Sequence, residues 1–155
     1  MKRLHQYRQA LSYYRRSMDL ATSVVAESPI DYSTRNQILA AEGGICGLLA
    51  ILNERAASLE VVSKMIASAW DLAVSRPDVI NRAYVAKTIA WAGDSYVALA
   101  GNAGSAVQRD SDWRRALTYY RQAEETWARL EMKPYRQELK LARQRIAECR
   151  NALDR

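Results

Sequence analysis

Apolar residues recur every three or four positions along most of this chain, with charged residues between them, the spacing of one buried helical face. One stripe runs Ala10, Leu11, Tyr14, Ala21, Val24; a second runs Leu59, Val62, Ile66, Ala69, Ala73; a third runs Ala116, Leu117, Tyr120, Ala123, Trp127, Leu130. A helix is predicted over about 33–52, with Ile38, Ala41, Ile45 and Leu48 inward and Asp31 or Ser33 as its cap. Another is predicted over about 79–100 with two adjacent stripes: Val85, Ile89, Ala92, Tyr96, Leu99, and Ala86, Ala90, Gly93, Val97, Ala100. Such a helix is buried on two sides, and its small residues let a neighbour approach closely. The last helix begins after Pro134, with Leu139, Ala142, Ile146, Cys149 and Leu153 on one face and Arg136, Lys140, Arg143 and Arg150 opposite. Pro29 and Pro77 stop helices, because the ring blocks the helical conformation of the preceding residue. The small and polar run from Gly101 to Asp112 predicts a loop, with Asp110, Ser111 or Asp112 capping the helix that follows.

The stripes belong to an internal repeat. Ala10-Leu-Ser-Tyr-Tyr-Arg15 and Ala116-Leu-Thr-Tyr-Tyr-Arg121 differ only where Ser12 faces Thr118. The match continues through Ser17 and Ala123, Asp19 and Glu125, Val24 and Leu130. A weaker copy, Ser58-Leu-Glu-Val-Val62, lies between them and ends at Ser75-Arg76-Pro77, as the first ends at Glu27-Ser28-Pro29.

These residues resemble tetratricopeptide repeats. Ile89, Ala92, Gly93 and Tyr96 stand at signature places of the first helix of such a repeat, and Ala116, Tyr120 and Ala123 at those of the second. Ile89 departs from the signature Trp. The gap from Gly93 to Ala116 exceeds the usual repeat, so 101–112 reads as an insertion; the middle unit has glycines and no signature aromatic. The resemblance implies one all-α domain over 1–155: a right-handed superhelical stack of antiparallel helix pairs, about six helices, closed by a capping helix. The run Ala90-Trp-Ala-Gly-Asp-Ser-Tyr96, with Asp112 to Arg121, Trp127 to Leu130 and Ala147 to Leu153, is similar to the C-terminal repeat region of bacterial serine/threonine protein kinases. Repeats appended to winged-helix regulators are similar too.

Composition narrows the chemistry. Three prolines and six glycines supply too few turns for many short strands. The single histidine, His5, leaves no triad and no multi-histidine metal site. Cys46 and Cys149 each fall in an apolar stripe, which reads as two core thiols rather than a disulfide or a metal site. Gly101-Asn-Ala-Gly104 lacks the preceding strand and the following Lys-Ser or Lys-Thr of a phosphate loop. A kinase catalytic loop and an Asp-Phe-Gly are missing, and the chain has no Phe. Glu124 and Glu125 are neighbours and diverge on a helix, so they read as solvated charges rather than an acid–base pair. The expectation is a non-catalytic chain needing no cofactor or metal. The start of the chain lacks the apolar core of a signal peptide, and no run reaches the length of a membrane span, which places it in the cytoplasm by default.

The net charge of +6 raises a nucleic-acid reading. Acids interleave with most of the bases, so only the last helix offers a basic patch, through Arg136, Lys140, Arg143 and Arg150. The tyrosines and tryptophans mostly fall at core spacing; Trp113, beside the expected loop, is the exception. The favoured reading is a protein-interaction or scaffold module. The family resemblance implies that the first helix of each pair lines a groove for a peptide, which points to Lys87 and Asp94, and to Arg35 in the degraded unit. A self-association reading also stands: the chain opens on a second-type helix, leaving the face around Leu11, Tyr14 and Met18 for a second copy to cover.

Overall fold

The computed structural model describes residues 2–28, 31–130 and 133–155. They form six α-helices, and no strand occurs among the described residues: α1 (Lys2–Glu27), α2 (Tyr32–Ile51), α3 (Arg55–Ser75), α4 (Val79–Gly101), α5 (Ala106–Leu130) and α6 (Arg136–Leu153), with a 3-10 turn over Lys133–Tyr135. Pro29 lies outside the described residues.

Local chemistry sets the helix ends. Asp31 caps α2, its carboxylate accepting from the Thr34 backbone N–H at 3.1 Å and the Thr34 hydroxyl at 2.7 Å. Asp78 does the same for α4 through the Asn81 N–H at 2.8 Å. At the end of α2, Asn53 adopts a left-handed φ of 62°. The Glu54 N–H then reaches back to the Leu49 carbonyl at 2.8 Å and the Asn53 N–H to Ala50 at 3.1 Å. This pair of bonds satisfies carbonyls the helix leaves open, and it needs a residue that tolerates positive φ at that position.

The loop expected over 101–112 is corrected. It covers only Asn102 to Ser105, and α5 starts at Ala106, where the Ser105 hydroxyl accepts from the Gln108 N–H at 3.2 Å. Asp110, Ser111 and Asp112 sit inside α5 and cap nothing. Good helix formers such as Ala106, Gln108 and Arg109 outweigh the small polar character of the segment.

Each helix packs on the next in the chain, and α2 packs on α4 in addition. Side-chain contacts fix the directions. Tyr14 meets Gly44 while Leu11, a turn earlier, gathers with Leu49, a turn later, and Tyr120 meets Gly93 while Tyr119 stacks on Tyr96, so α1–α2 and α4–α5 are antiparallel. Glu42 pairs with Lys64 and the Ser58 hydroxyl with the Cys46 carbonyl, so α2–α3 are antiparallel. Between α2 and α4 the order is Asn36 with Asn81, Gly43 with Trp91, Cys46 with Ser95, and Ala50 with Asn102. Those pairs ascend together, so α2 and α4 run parallel.

The main core joins Leu39, Cys46, Val62, Met65, Leu72, Val85, Ile89, Trp127 and Ala142. Full burial of side chains such as Leu39 and Met65 contributes about 1.5–3 kcal/mol each. Two smaller clusters flank it. Leu11, Ile45 and Leu49 gather at the α1 end, and Ala116, Tyr120, Ile146 and Cys149 at the α6 end. Both cysteines are buried free thiols. Trp113 is half-buried against the α6-end cluster rather than free for a ligand.

Candidate functional site

A pocket of about 220 Å³ opens between α4, α5 and α6. Lys87, Ala90, Trp91 and Asp94 come from one face of α4, Tyr120 and Trp127 from α5, and Glu138, Leu141, Ala142 and Arg145 from α6. Steps of three and four in α4 and α6 place these residues in register on one side of each helix. The pocket is smaller than the usual small-molecule site and about seven times the volume of one water, which suits a single side chain.

Its walls are held from behind. The Trp91 ring lies over Gly43 of α2, so closely that a Cβ there would stand 2.6 Å from Cε3. Trp127 is buried and packs on Tyr135 with ring centroids 5.0 Å apart. The buried Tyr120 ring lies over Gly93, and its hydroxyl donates to Asp94 Oδ1 at 2.5 Å.

The polar groups are unevenly satisfied. Burial pushes the Asp94 carboxyl above its ordinary value, against the opposing pull of the Tyr120 hydroxyl and Arg145. Burial, with the Asp94 charge behind it, drives the Tyr120 phenol far up, so it stays a donor. Arg145 is engaged, with Nη1 2.8 Å from Glu148 Oε2 and Nε 3.8 Å from Asp94 Oδ1. The Lys87 ammonium stands 5.4 Å from the centre of the Tyr84 ring. Glu138 Oε2 is shielded from solvent and has no hydrogen-bond partner among the described residues.

No protein-family model, curated protein or solved structure matches the chain. The site therefore rests on its own geometry.

Two of the residues predicted to line a groove, Lys87 and Asp94, share this pocket. Arg35 does not join them. It lines a separate depression between α2 and α3 with Ile38, Ser68 and Asp71. Sequence reasoning missed Trp91, Trp127, Glu138, Leu141 and Arg145. Trp91 carried a usable signal, since it lies four residues from Lys87 and three from Asp94, on the same helical face. The α6 members carried none, because nothing in the sequence says which turn of α6 meets α4.

The basic patch lies where the pattern put it. Arg136, Lys140, Arg143 and Arg150 are all exposed on α6. Arg143 is tied to Glu124 of α5, Nε to Oε1 at 2.8 Å, which breaks the row in the middle. The face of α1 expected to need a partner is also corrected. Leu11 is buried and Met18 half-buried against Ile45 and Leu49 of α2, and Tyr14 lies over Gly44. The open face of α1 is instead the one bearing Tyr13, Leu20 and Val24, which are 64%, 67% and 46% exposed.

Proposed function

We propose that this chain is a non-catalytic interaction module of the tetratricopeptide type, which receives a peptide in the pocket between α4 and α6. The observation that supports it is the convergence of Lys87 and Asp94 with Trp91, Trp127 and Leu141 in one side-chain-sized recess. The parallel pairing of α2 and α4 fits a stack of hairpins, whose first helices face a common concave side. A peptide-library selection followed by titration tests the reading. Trp91→Ala should abolish binding while leaving the helical circular dichroism unchanged, and a selected peptide indifferent to Trp91, Lys87 and Asp94 would remove the pocket from the function. The kinase-like or regulator-like context rests on the resemblance of residues 90–96, 112–121, 127–130 and 147–153, and the genomic reading frame around the chain tests it.

A second reading is self-association through α1. Tyr13 and Tyr14 match Tyr119 and Tyr120 in the repeat. In α5 that pair is covered by α4: Tyr119 stacks on Tyr96 at 5.6 Å and Tyr120 sits on Gly93. In α1 Tyr13 is 64% exposed. The start of α1 carries Arg3 and Arg8, Arg15 and Arg16 follow just past its middle, and Asp19 and Glu27 lie toward its end, so two copies laid antiparallel bring Arg3 and Arg8 toward Glu27 and Asp19. Light scattering over a broad dilution series, with Leu20→Glu as the monomeric control, decides it. A mass equal to one chain at every concentration ends it.

A further inference from the structure

Resting on the peptide-groove reading, we infer that the side chain this pocket takes is a cationic one, an arginine in first place, seated against Trp91 and Trp127 with its guanidinium on Glu138. The two resident cations already have partners: Arg145 holds Glu148 at 2.8 Å and lies beside Asp94, and Lys87 stands over Tyr84. The acceptors are met only in part. Glu138 Oε2 is closed off from solvent with no donor among the described residues. Asp94 uses Oδ1 for the Tyr120 hydroxyl and leaves Oδ2 without a hydrogen bond from the described residues. A solvent-shielded carboxylate oxygen without a donor is costly, and an entering N–H group removes that cost at the moment of binding. A carboxylate-bearing ligand would add a third negative group to Asp94 and Glu138 and leave Glu138 unmet.

The walls point the same way. Indole faces attract cations, and a guanidinium stacks on them while forking to carboxylates. The volume of about 220 Å³ accommodates one long side chain and little more. An ammonium has the charge but neither the plane nor the fork, so lysine ranks second.

The probe is Nα-acetyl-arginine amide, with the indole N–H resonances of the four tryptophans followed by NMR. The Trp91 and Trp127 signals should shift and saturate while Trp70 and Trp113 stay still. Nα-acetyl-lysine amide should bind more weakly, and the uncharged, shorter norleucine amide at least about tenfold more weakly, in proportion to a lost charged hydrogen bond. Glu138→Gln should lower arginine affinity about tenfold and leave norleucine unaffected. That comparison of ligands on the unaltered protein holds even if a variant folds poorly. Equal binding of norleucine, or binding of Nα-acetyl-glutamate amide in place of arginine, overturns the cation assignment and leaves the peptide groove standing. If no amide and no peptide pool, basic or acidic, moves the Trp91 signal, the groove reading falls with it.

Discussion

The Tyr120 ring lies flat over the backbone of Gly93, so that a Cβ at that position would stand 2.9 Å from Cε1 and 3.0 Å from Cζ. This approach brings α5 onto α4 and carries the Tyr120 hydroxyl to Asp94, at the lip of the pocket. Packing here is set by the missing side chain rather than by backbone conformation, since Gly93 has no positive φ. Tyr120 is 1% exposed and has nowhere to move. Gly93→Ala should therefore cost about 1–2 kcal/mol, the overpacking penalty less the gain in helix propensity. Gly47 meets nothing within 4 Å. Gly47→Ala should stabilise by up to about 1 kcal/mol, because only the propensity term remains. Thermal unfolding of the two variants side by side checks both signs.

Gly44 falls between them. A Cβ there would come 2.7 Å from the Tyr14 ring, closer than at Gly93. But Tyr14 is 42% exposed and can swing outward. Gly44→Ala should cost less than Gly93→Ala despite the shorter distance, and the loss should be largely absent in a Tyr14→Ala background. Additive losses in that double-mutant comparison would show that Tyr14 is not what the new methyl meets.

Much of this architecture is legible in the sequence, and the rest is not for identifiable reasons. The three- and four-residue spacing locates all the helices because the core is one-sided along most of them; Ala116, Tyr120, Ala123 and Trp127 are all buried as the pattern requires. Val24 breaks the pattern, since it lies on the repeat's stripe but is 46% exposed. The segment 106–112 misleads because its small polar residues read as a loop while one of them, Asp112, is 1% exposed and held by Arg55 from α3. A partner 57 residues away cannot be found by periodicity. That Lys87 and Asp94 share a helical face is legible in their seven-residue spacing. Glu138 and Arg145 depend on where α6 lands, which only the packing decides.

The Arg55–Asp112 pair ties α3 to α5, with Nη1 to Oδ2 at 2.8 Å and Nη2 to Oδ1 at 2.6 Å, and Gln108 Nε2 adds a third bond at 3.2 Å. The two partners differ in exposure, 36% for Arg55 and 1% for Asp112. Removing the arginine strands a buried carboxylate, whereas neutralising the aspartate leaves a guanidinium that water can reach. Arg55→Ala should then cost about 2–3 kcal/mol, at or below the lower end for a broken buried pair because Arg55 is partly solvated. Asp112→Asn should cost visibly less. Denaturant titration gives both, and equal losses would mean that the asymmetry of exposure has no energetic weight.

The thiols report on opening of the helix packing. Burial raises both, and it lifts Cys149 to about 11, with the Glu148 charge adding to the effect. The thiolate is the reacting form, and at pH 8 a group with that value is about 0.1% ionised, against roughly a quarter for an ordinary thiol. Both cysteines are 0% exposed as well. Native protein should react with a disulfide reagent at pH 8 only as fast as it opens, and both thiols should react promptly in denaturant. Fast reaction of one thiol in native protein would mark a local opening, around α6 if it is Cys149.

Glu42 is the least comfortable charge in the molecule. It sits on α2 facing α3, 2% exposed, with Oε1 3.5 Å from the Lys64 ammonium and Oε2 unbonded among the described residues. Burial raises its carboxyl above the ordinary value, and Lys64 offsets this only in part. In the folded state it therefore takes up a proton at a higher pH than in the unfolded chain. Between the two values the native state binds more protons, so this group's contribution makes stability fall as pH rises through that window, from the ordinary value of 4.5 upward. Above the window the destabilisation is fully present, and below 4.5 it is gone. Glu42→Gln should stabilise the protein at pH 7 by about 1 kcal/mol, on the scale of a buried group left unsatisfied. The advantage should shrink as pH is lowered and vanish once wild-type Glu42 is protonated in both states. Urea titrations of wild type and variant at pH 4, 5.5 and 7 measure the difference. A gain independent of pH would show that Lys64 satisfies the carboxylate and that the amide helps for another reason.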